Sequence, residues 1–417
     1  MTMAAPKTLK DLLTDPQTVD DLQIPQNILV DIVLRLLYNE GNLTFRRFVQ
    51  VIRVPNVLGN VLDWLRQEHL VEIMSSRDSS GPLGYIYKLT AAGQERAKEA
   101  MERSQYVGPA PVPVNIYNDA IEMQTVGPRH VTVDQVDGIL KDMVLPPDFH
   151  RRIGPVVNSG ASLFLYGPSG NGKTTIARKM ASLIAGTEPI WLPYALTAGG
   201  QIIQIHDRLF HTPFKNKNES TSTVIDGRWG LFHRPSVIVG GEMRMEALEL
   251  RYDPVSKIYE APLQLKANGG MFLIDDFGRQ QVSPSKLLNR WIVPLESRAD
   301  FLRLNTGQTI VVPFRMLLVF STNLDPNELV DEAFLRRIQL KVAVNGPDER
   351  LFFQVFVQNC REYNIPMDKD MFVYLLQNWY RKTGRTIQFV HARDLLRTIQ
   401  ALCVYDNTPP RLPDSAK

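Results

Sequence analysis

At 417 residues the chain is too long for one ordinary domain, so two or three are expected, and its 44% apolar content is that of a globular protein. No run of about 18 or more apolar residues marks a membrane span, the start Met1-Thr-Met-Ala-Ala-Pro-Lys7 lacks the apolar core of a secretory signal, and Cys360 and Cys403 alone make no disulfide framework, so a cytoplasmic location is expected. The net charge of +3 is too small to argue for nucleic acid by itself.

In chain order, Ile28, Leu29, Ile32, Val33, Leu36 and Leu37 form one apolar helix face that stops at Gly41. A shorter helix from Thr44 to about Ile52 follows, then a third after Pro55-Asn56 with Val57, Leu58, Val61, Leu62 and Leu65 on one face. Two extended segments, Val71 to Met74 and Gly84 to Leu89, flank the loop Ser75 to Pro82. Three helices and a two-stranded wing resemble a winged helix-turn-helix over residues 1–104. These residues carry 12 Lys and Arg against 13 Asp and Glu, and the would-be recognition helix, Asn56 to Glu68, sets Arg66 beside Asp63 and Glu68. A DNA reader needs a basic face to gain from counterion release, so protein contact is favoured, with Arg46, Arg47 and Arg53 keeping nucleic acid open. Residues 105–114 hold three alternating prolines and read as a semi-rigid linker with few contacts across it.

From 115 to 345 the pattern is that of an α/β nucleotide-binding domain. Short helices are expected near Val133 to Leu140 and Phe149 to Val157. The strand Leu163 to Tyr166 then runs into Gly167-Pro168-Ser169-Gly170-Asn171-Gly172-Lys173-Thr174-Thr175, followed by a helical run to Ile184. This is a phosphate-binding loop, whose glycines let successive N–H groups and the positive end of the next helix face an anion. Lys173 is placed to bridge the β- and γ-phosphates of ATP, and the Thr174 hydroxyl to ligate Mg²⁺. Gly269 to Phe277 is an apolar strand ending in Asp275, suited to hold Mg²⁺, and Asp276, suited to orient or deprotonate water. A third strand, Arg315 to Asn323, would bring Asn323 to the same crevice.

Over roughly residues 130 to 405 these features resemble the AAA+ ATPases. Gly167 to Thr174 is similar to Walker A, Phe272 to Asp276 to Walker B, and Asn323 to sensor 1. Arg336 and Arg337 resemble the arginine finger, with Arg337 the better match, and Arg393 in Val390-His-Ala-Arg393-Asp resembles sensor 2. Helical runs near Asp348 to Asn364, Lys369 to Arg381 and Val390 to Val404 resemble the α-helical lid, 346–405, leaving a tail at 406–417. The expected hairpin, Phe301 to Leu304 with Thr309 to Val312, is similar to the pre-sensor-1 insertion of the MoxR-like, enhancer-binding and Clp/Lon-like groups. With its front end the chain resembles bacterial AAA+ proteins described as ATPases with chaperone activity. The fold implied is a parallel P-loop NTPase sheet with helices on both faces, a helical lid and a separate winged-helix domain.

Two features depart from that pattern. Asp276 stands where a glutamate is usual, one methylene short, and a misplacement of that order costs on the order of 10²-fold in rate. The second is spacing: 102 residues separate Lys173 from Asp275, leaving 191–268 as an elaborated region. Within it Leu248 to Arg251 and Ile258 to Leu265 read as a hairpin or as a helix with a pore-facing loop. An arginine finger acts on a neighbour's site, so the resemblance implies a ring, expected to be a hexamer. Three functions stay open: a remodeller of a protein client held by the N-terminal domain, a DNA-associated motor, and a slow ATP-dependent assembly switch.

Overall fold

The computed structural model describes residues 8–76, 85–127, 130–146, 149–215, 225–329 and 335–409. The tip of the expected 75–82 loop, Val330 to Phe334 before the paired arginines, and tail residues 410–417 lie outside the described residues.

A five-stranded parallel sheet organises the chain from about residue 149 to 343. Its strands are β1 (Leu163–Tyr166), β2 (Ser236–Val239), β3 (Met271–Ile274), β4 (Leu317–Thr322) and β5 (Leu340–Ala343), in the spatial order β2-β3-β4-β1-β5. Pairings such as Ile274 with Phe320 and Thr322 with Tyr166 align the carboxyl ends along one edge. Both faces are covered, which is why the strands read as unbroken apolar runs. Leu163, Leu165, Leu273 and Val319 face the helices Val133–Leu140, Phe149–Ser159 and Lys173–Ala185. Phe164, Phe272 and Phe320 face the other side, against Trp291 of the helix Pro284–Ser297. Three helices close the chain: Glu349–Glu362, capped by Asp348, then Lys369–Leu375 with a π-helical extension to Arg381, and Phe389–Tyr405. This is the P-loop NTPase fold with helices on both sheet faces.

The region expected as one elaboration, 191–268, is not uniform. It contains β2, a full member of the parallel sheet. Four residues at the sheet edge, with Ile238 38% exposed, carry too little apolar signal to be told from a loop. Part of the rest builds a second sheet, in which Ala195–Ala198, Gln201–Gln204 and the hairpin Arg251–Asp253/Ile258–Glu260 lie side by side, while Ile190–Pro193 and Trp229–Phe232 pair separately. Of the two readings of that hairpin segment, the hairpin is the one formed. Ala299–Arg303 and Thr309–Pro313 also pair as an antiparallel hairpin.

At the front, the helices Gln26–Glu40, Phe45–Ile52 and Pro55–Gln67 pack with a small antiparallel sheet of Leu43–Thr44, Tyr85–Leu89 and Val71–Ser76. A further helix, Ala91–Arg103, has no sequence-level counterpart because the face it buries is Gly93, Ala97 and Ala100, too small to register as apolar. Gly93 is needed there: a Cβ would stand 1.9 Å from the Leu70 carbonyl oxygen.

The expected spacer at 105–114 is corrected by the fold. Tyr106, Ala110 and Val112 are buried, Val112–Pro113 joins the second sheet beside Ala195–Ala198, and the Ala110 N–H donates to the Ile52 carbonyl at 2.9 Å. The alternating prolines place side chains on a shared core instead of holding two bodies apart, and the apolar cluster of the front end continues into Ala195 and Ile202. The helix that follows, Val114–Thr125, packs with the second sheet through Ile116, Tyr117 and Ile121 and not with the nucleotide sheet.

Candidate functional site

At the carboxyl edge of β1, β3 and β4, the loop 167–172 turns into the first turn of the helix Lys173–Ala185. Gly167 has φ 132° and a Cβ there would lie 2.6 Å from the Val344 carbonyl oxygen, so the loop leaves its strand only as glycine. At Gly170, φ 77°, a Cβ would meet a methyl of Val390 at 2.6 Å, since the Val390 N–H donates to the Gly170 carbonyl at 3.0 Å. The C-terminal helices therefore sit directly on the loop.

The side chains converge in pairs. Thr174 Oγ1 donates to Asp275 Oδ1 at 3.0 Å. Asn323 Nδ2 donates to Asp276 Oδ1 at 3.2 Å. Lys173 is buried and folds back on its own loop, donating from Nζ to the carbonyls of Gly167 and Pro168 at 2.8 and 2.9 Å. Burial lowers its pKa, opposed by the nearby charges of Asp276 and Asp275. Among the described residues Asn171 Nδ2 is buried with no hydrogen-bond partner, while Asn171 Oδ1 accepts from the Phe389 N–H at 3.4 Å.

Asn171, Lys173, Thr174, Asp276 and Asn323 line a cavity of about 600 Å³ that also takes in Ser169, Gly170, Gly172, Thr175 and Arg393, with Asp275, Gly167 and Pro168 just outside its lining. Arg393 is exposed and turned onto its neighbour Asp394 at 3.1 Å. Arg336 and Arg337 do not line this cavity. Arg337 instead pairs with Glu296 of the helix Pro284–Ser297 at 2.6 Å.

Several cavity residues have no local sequence signal. Met143, Val144 and Leu145, with Val355 and Phe389 from the C-terminal helices, form its apolar side, and only the fold brings them beside the loop. Gln280, outside the cavity lining, also carries no local signal: its Nε2 donates to the Asp275 and Asp276 carbonyls at 2.9 and 3.2 Å, and its Oε1 accepts from the Gly278 N–H at 2.9 Å. That clasp holds Asp276 in a left-handed conformation, φ 50°, at the strand end.

The residues present fit a magnesium nucleotide. Glycines at the close approaches, an unsatisfied buried amide donor, a lysine resting on carbonyls, and a hydroxyl against a carboxylate form a donor set for phosphate and a hard cation.

A family model described as a domain of unknown function (DUF8689) matches residues 348–416. No curated protein matches the chain. Among solved structures, NtrX from Brucella abortus in complex with ADP is similar at 14% identity and TM-score 0.40, covering 75% of this chain and 62% of that one. A RuvB mutant from Thermotoga maritima gives 11% identity and TM-score 0.35, over 69% of this chain and 68% of that one. A complex of the BchI and BchD subunits of magnesium chelatase gives 18% and 0.31, over 60% and 70%. The chain spans 62% and 57% of the two NtrX chains it resembles. Sheet order and loop geometry, not these likenesses, establish the fold. Among the described residues no helix is long and apolar enough to cross a membrane.

Proposed function

We propose that this chain is an AAA+ ATPase that binds and hydrolyses Mg²⁺–ATP in a ring, expected to be hexameric, to remodel a protein client. The observation that carries the reading is the Thr174–Asp275 contact at 3.0 Å beside the Asp276–Asn323 contact at 3.2 Å, at the mouth of β1, β3 and β4. Bound Mg²⁺–ATP supplies the phosphoryl group and its charge-balancing cation. Lys173 would exchange its two loop carbonyls for phosphate oxygens, Thr174 would hold the metal through its hydroxyl, and Asp275 would hold it through water. Asp276 accepts the proton of the attacking water, Asn323 orients it, and Arg393 approaches from the C-terminal helices. Arg337, with Arg336 beside it, lies outside its own chain's cavity and completes the site of the next subunit.

The front end, read as a winged helix, supports protein over DNA as the partner, because two of its arginines are already paired with carboxylates. Arg47 is bidentate to Glu40 at 2.7 Å and Arg66 lies 3.5 Å from Asp63. A slow assembly switch is the second reading, favoured by Asp276 standing one methylene short of glutamate.

The test is complementation. Arg337→Ala should bind ATP normally and not turn it over, and mixing it with Lys173→Ala should restore part of the activity through interfaces that join an intact loop to an intact arginine. A mixture that assembles and stays inactive would remove the ring mechanism.

A further inference from the structure

A second cavity, of about 760 Å³, lies between the front-end unit and the second sheet, remote from the phosphate loop. Its volume is that of a small-ligand site. Its walls mix Arg53 and Gly108 with Tyr194, His206 and Arg208 from the elaborated region.

The charges on these walls are unevenly satisfied. Each carboxylate already has partners: Glu260 pairs with Lys266 at 2.7 Å and with Arg251, Asp207 with Lys266 at 2.9 Å, and Asp253 accepts from the Val255 N–H at 3.0 Å and the Ser256 hydroxyl at 2.6 Å. Arg53 and Arg208 have no carboxylate partner among the described residues. Arg53 is nonetheless held in place. Its backbone is left-handed at φ 65°, its guanidinium carbon sits over the Tyr194 ring 4.3 Å from the centroid, and its carbonyl oxygen is so close to Gly227 that a Cβ there would stand 2.6 Å away. A guanidinium stacked on a ring keeps its N–H edge available in a fixed plane, which suits bidentate recognition of an oxyanion. His206 stands between the two arginines electrically: burial lowers its pKa, Asp207 opposes this, and Arg208 and Arg53 each lower it further.

We propose that this cleft is a binding site for a small oxyanion ligand, a phosphate ester or a carboxylate, with Arg53 and Arg208 as its cationic wall and His206 beside them. The ligand would bridge the front-end unit to the second sheet, since Arg53 belongs to one and Arg208 to the other. The site is independent of the nucleotide crevice and of any reading of it.

Inorganic phosphate and succinate, titrated separately by calorimetry into the full chain, are the probes. A Lys173→Ala background keeps the phosphate loop the same in every comparison. Arg208→Ala, at an exposed side chain, should weaken binding of the responding probe about tenfold or more, and Arg53→Lys, which keeps charge but loses the flat fork, should weaken it less. Arg46→Ala, an exposed arginine outside the cleft, should leave it unchanged. Response to phosphate alone identifies a phosphate ester as the ligand, and response to succinate alone a carboxylate. Identical titrations for Arg208→Ala and Arg46→Ala, or no binding of either probe, would overturn the site.

Discussion

The phosphate-loop crevice and the Asp226–Arg228 pair buried where the front end meets the second sheet both hold charge, yet they treat it in opposite ways. At the junction, Arg228 is buried with Asp226, paired at 2.8 Å, and also donates to the Leu22 and Pro111 carbonyls at 3.3 and 3.4 Å. One guanidinium thus ties together three distant segments and has no capacity left for a ligand. In the crevice, Lys173 rests on two loop carbonyls, Arg393 on its own neighbour, and Asn171 Nδ2 on nothing among the described residues. Charges fully met by the chain hold a structure together, whereas charges held on weak local partners are free to be taken by a ligand.

The contrast breaks first at Asp226. Asp226→Ala leaves Arg228 buried without its counter-charge, which should cost about 3–5 kcal/mol of stability in urea unfolding. A loss below about 1 kcal/mol would mean that the junction is not sealed as described. In the crevice the largest effect should appear in turnover: Asp276→Asn keeps the hydrogen bond geometry but cannot accept a proton, so hydrolysis should fall about 10²–10⁴-fold with Mg²⁺–ATP binding retained. Native turnover would hand the proton to another group.

His211 gives a pH test of a buried group whose partners are all supplied by the chain. The Asp207 N–H donates to His211 Nδ1 at 2.9 Å, which leaves Nε2–H to donate to the Lys266 carbonyl at 3.0 Å, so the neutral ring is fully used and a second proton would face a donor. Burial is the main cause that pushes its pKa down to about 4 from 6.5, with the Lys266 carbonyl and Asp207 opposing and His206 and Lys266 assisting. Between those values the unfolded chain carries a proton that the folded chain lacks. Stability is therefore complete above about pH 6.5 and falls as the pH drops toward about 4, by at most roughly 3 kcal/mol, and His211→Gln should flatten that slope. The smallest effect sharpens the contrast: Lys173→Ala should weaken ATP binding about 10- to 100-fold by calorimetry while leaving the unfolding midpoint nearly unchanged, because the lysine's partners in the structure are only loop carbonyls.

Much of the crevice was legible because each part is contiguous in the chain. A glycine-rich turn between an apolar strand and a helix, or an apolar strand ending in Asp275-Asp276, is a local pattern with a local cause. The strand β2 was not legible, being four residues long and half exposed at the sheet edge. Nor was the helix Ala91–Arg103, whose packing face is made of Gly93, Ala97 and Ala100. The linker reading failed for a related reason: alternating prolines specify an extended backbone but not whether it is solvated or buried, and here Val112–Pro113 is a strand in a sheet.

By itself, then, the sequence determined the phosphate loop, the acidic end of one strand and the helices of the C-terminal segment, all set by backbone chemistry within about ten residues. Tertiary structure alone decided that Val390 lies on Gly170, that Met143 and Phe389 share a wall, and that Arg228 reaches Leu22 and Pro111. Such contacts join residues as much as 220 positions apart, and they exist only because packing of the two sheets leaves each buried polar group one place to be satisfied.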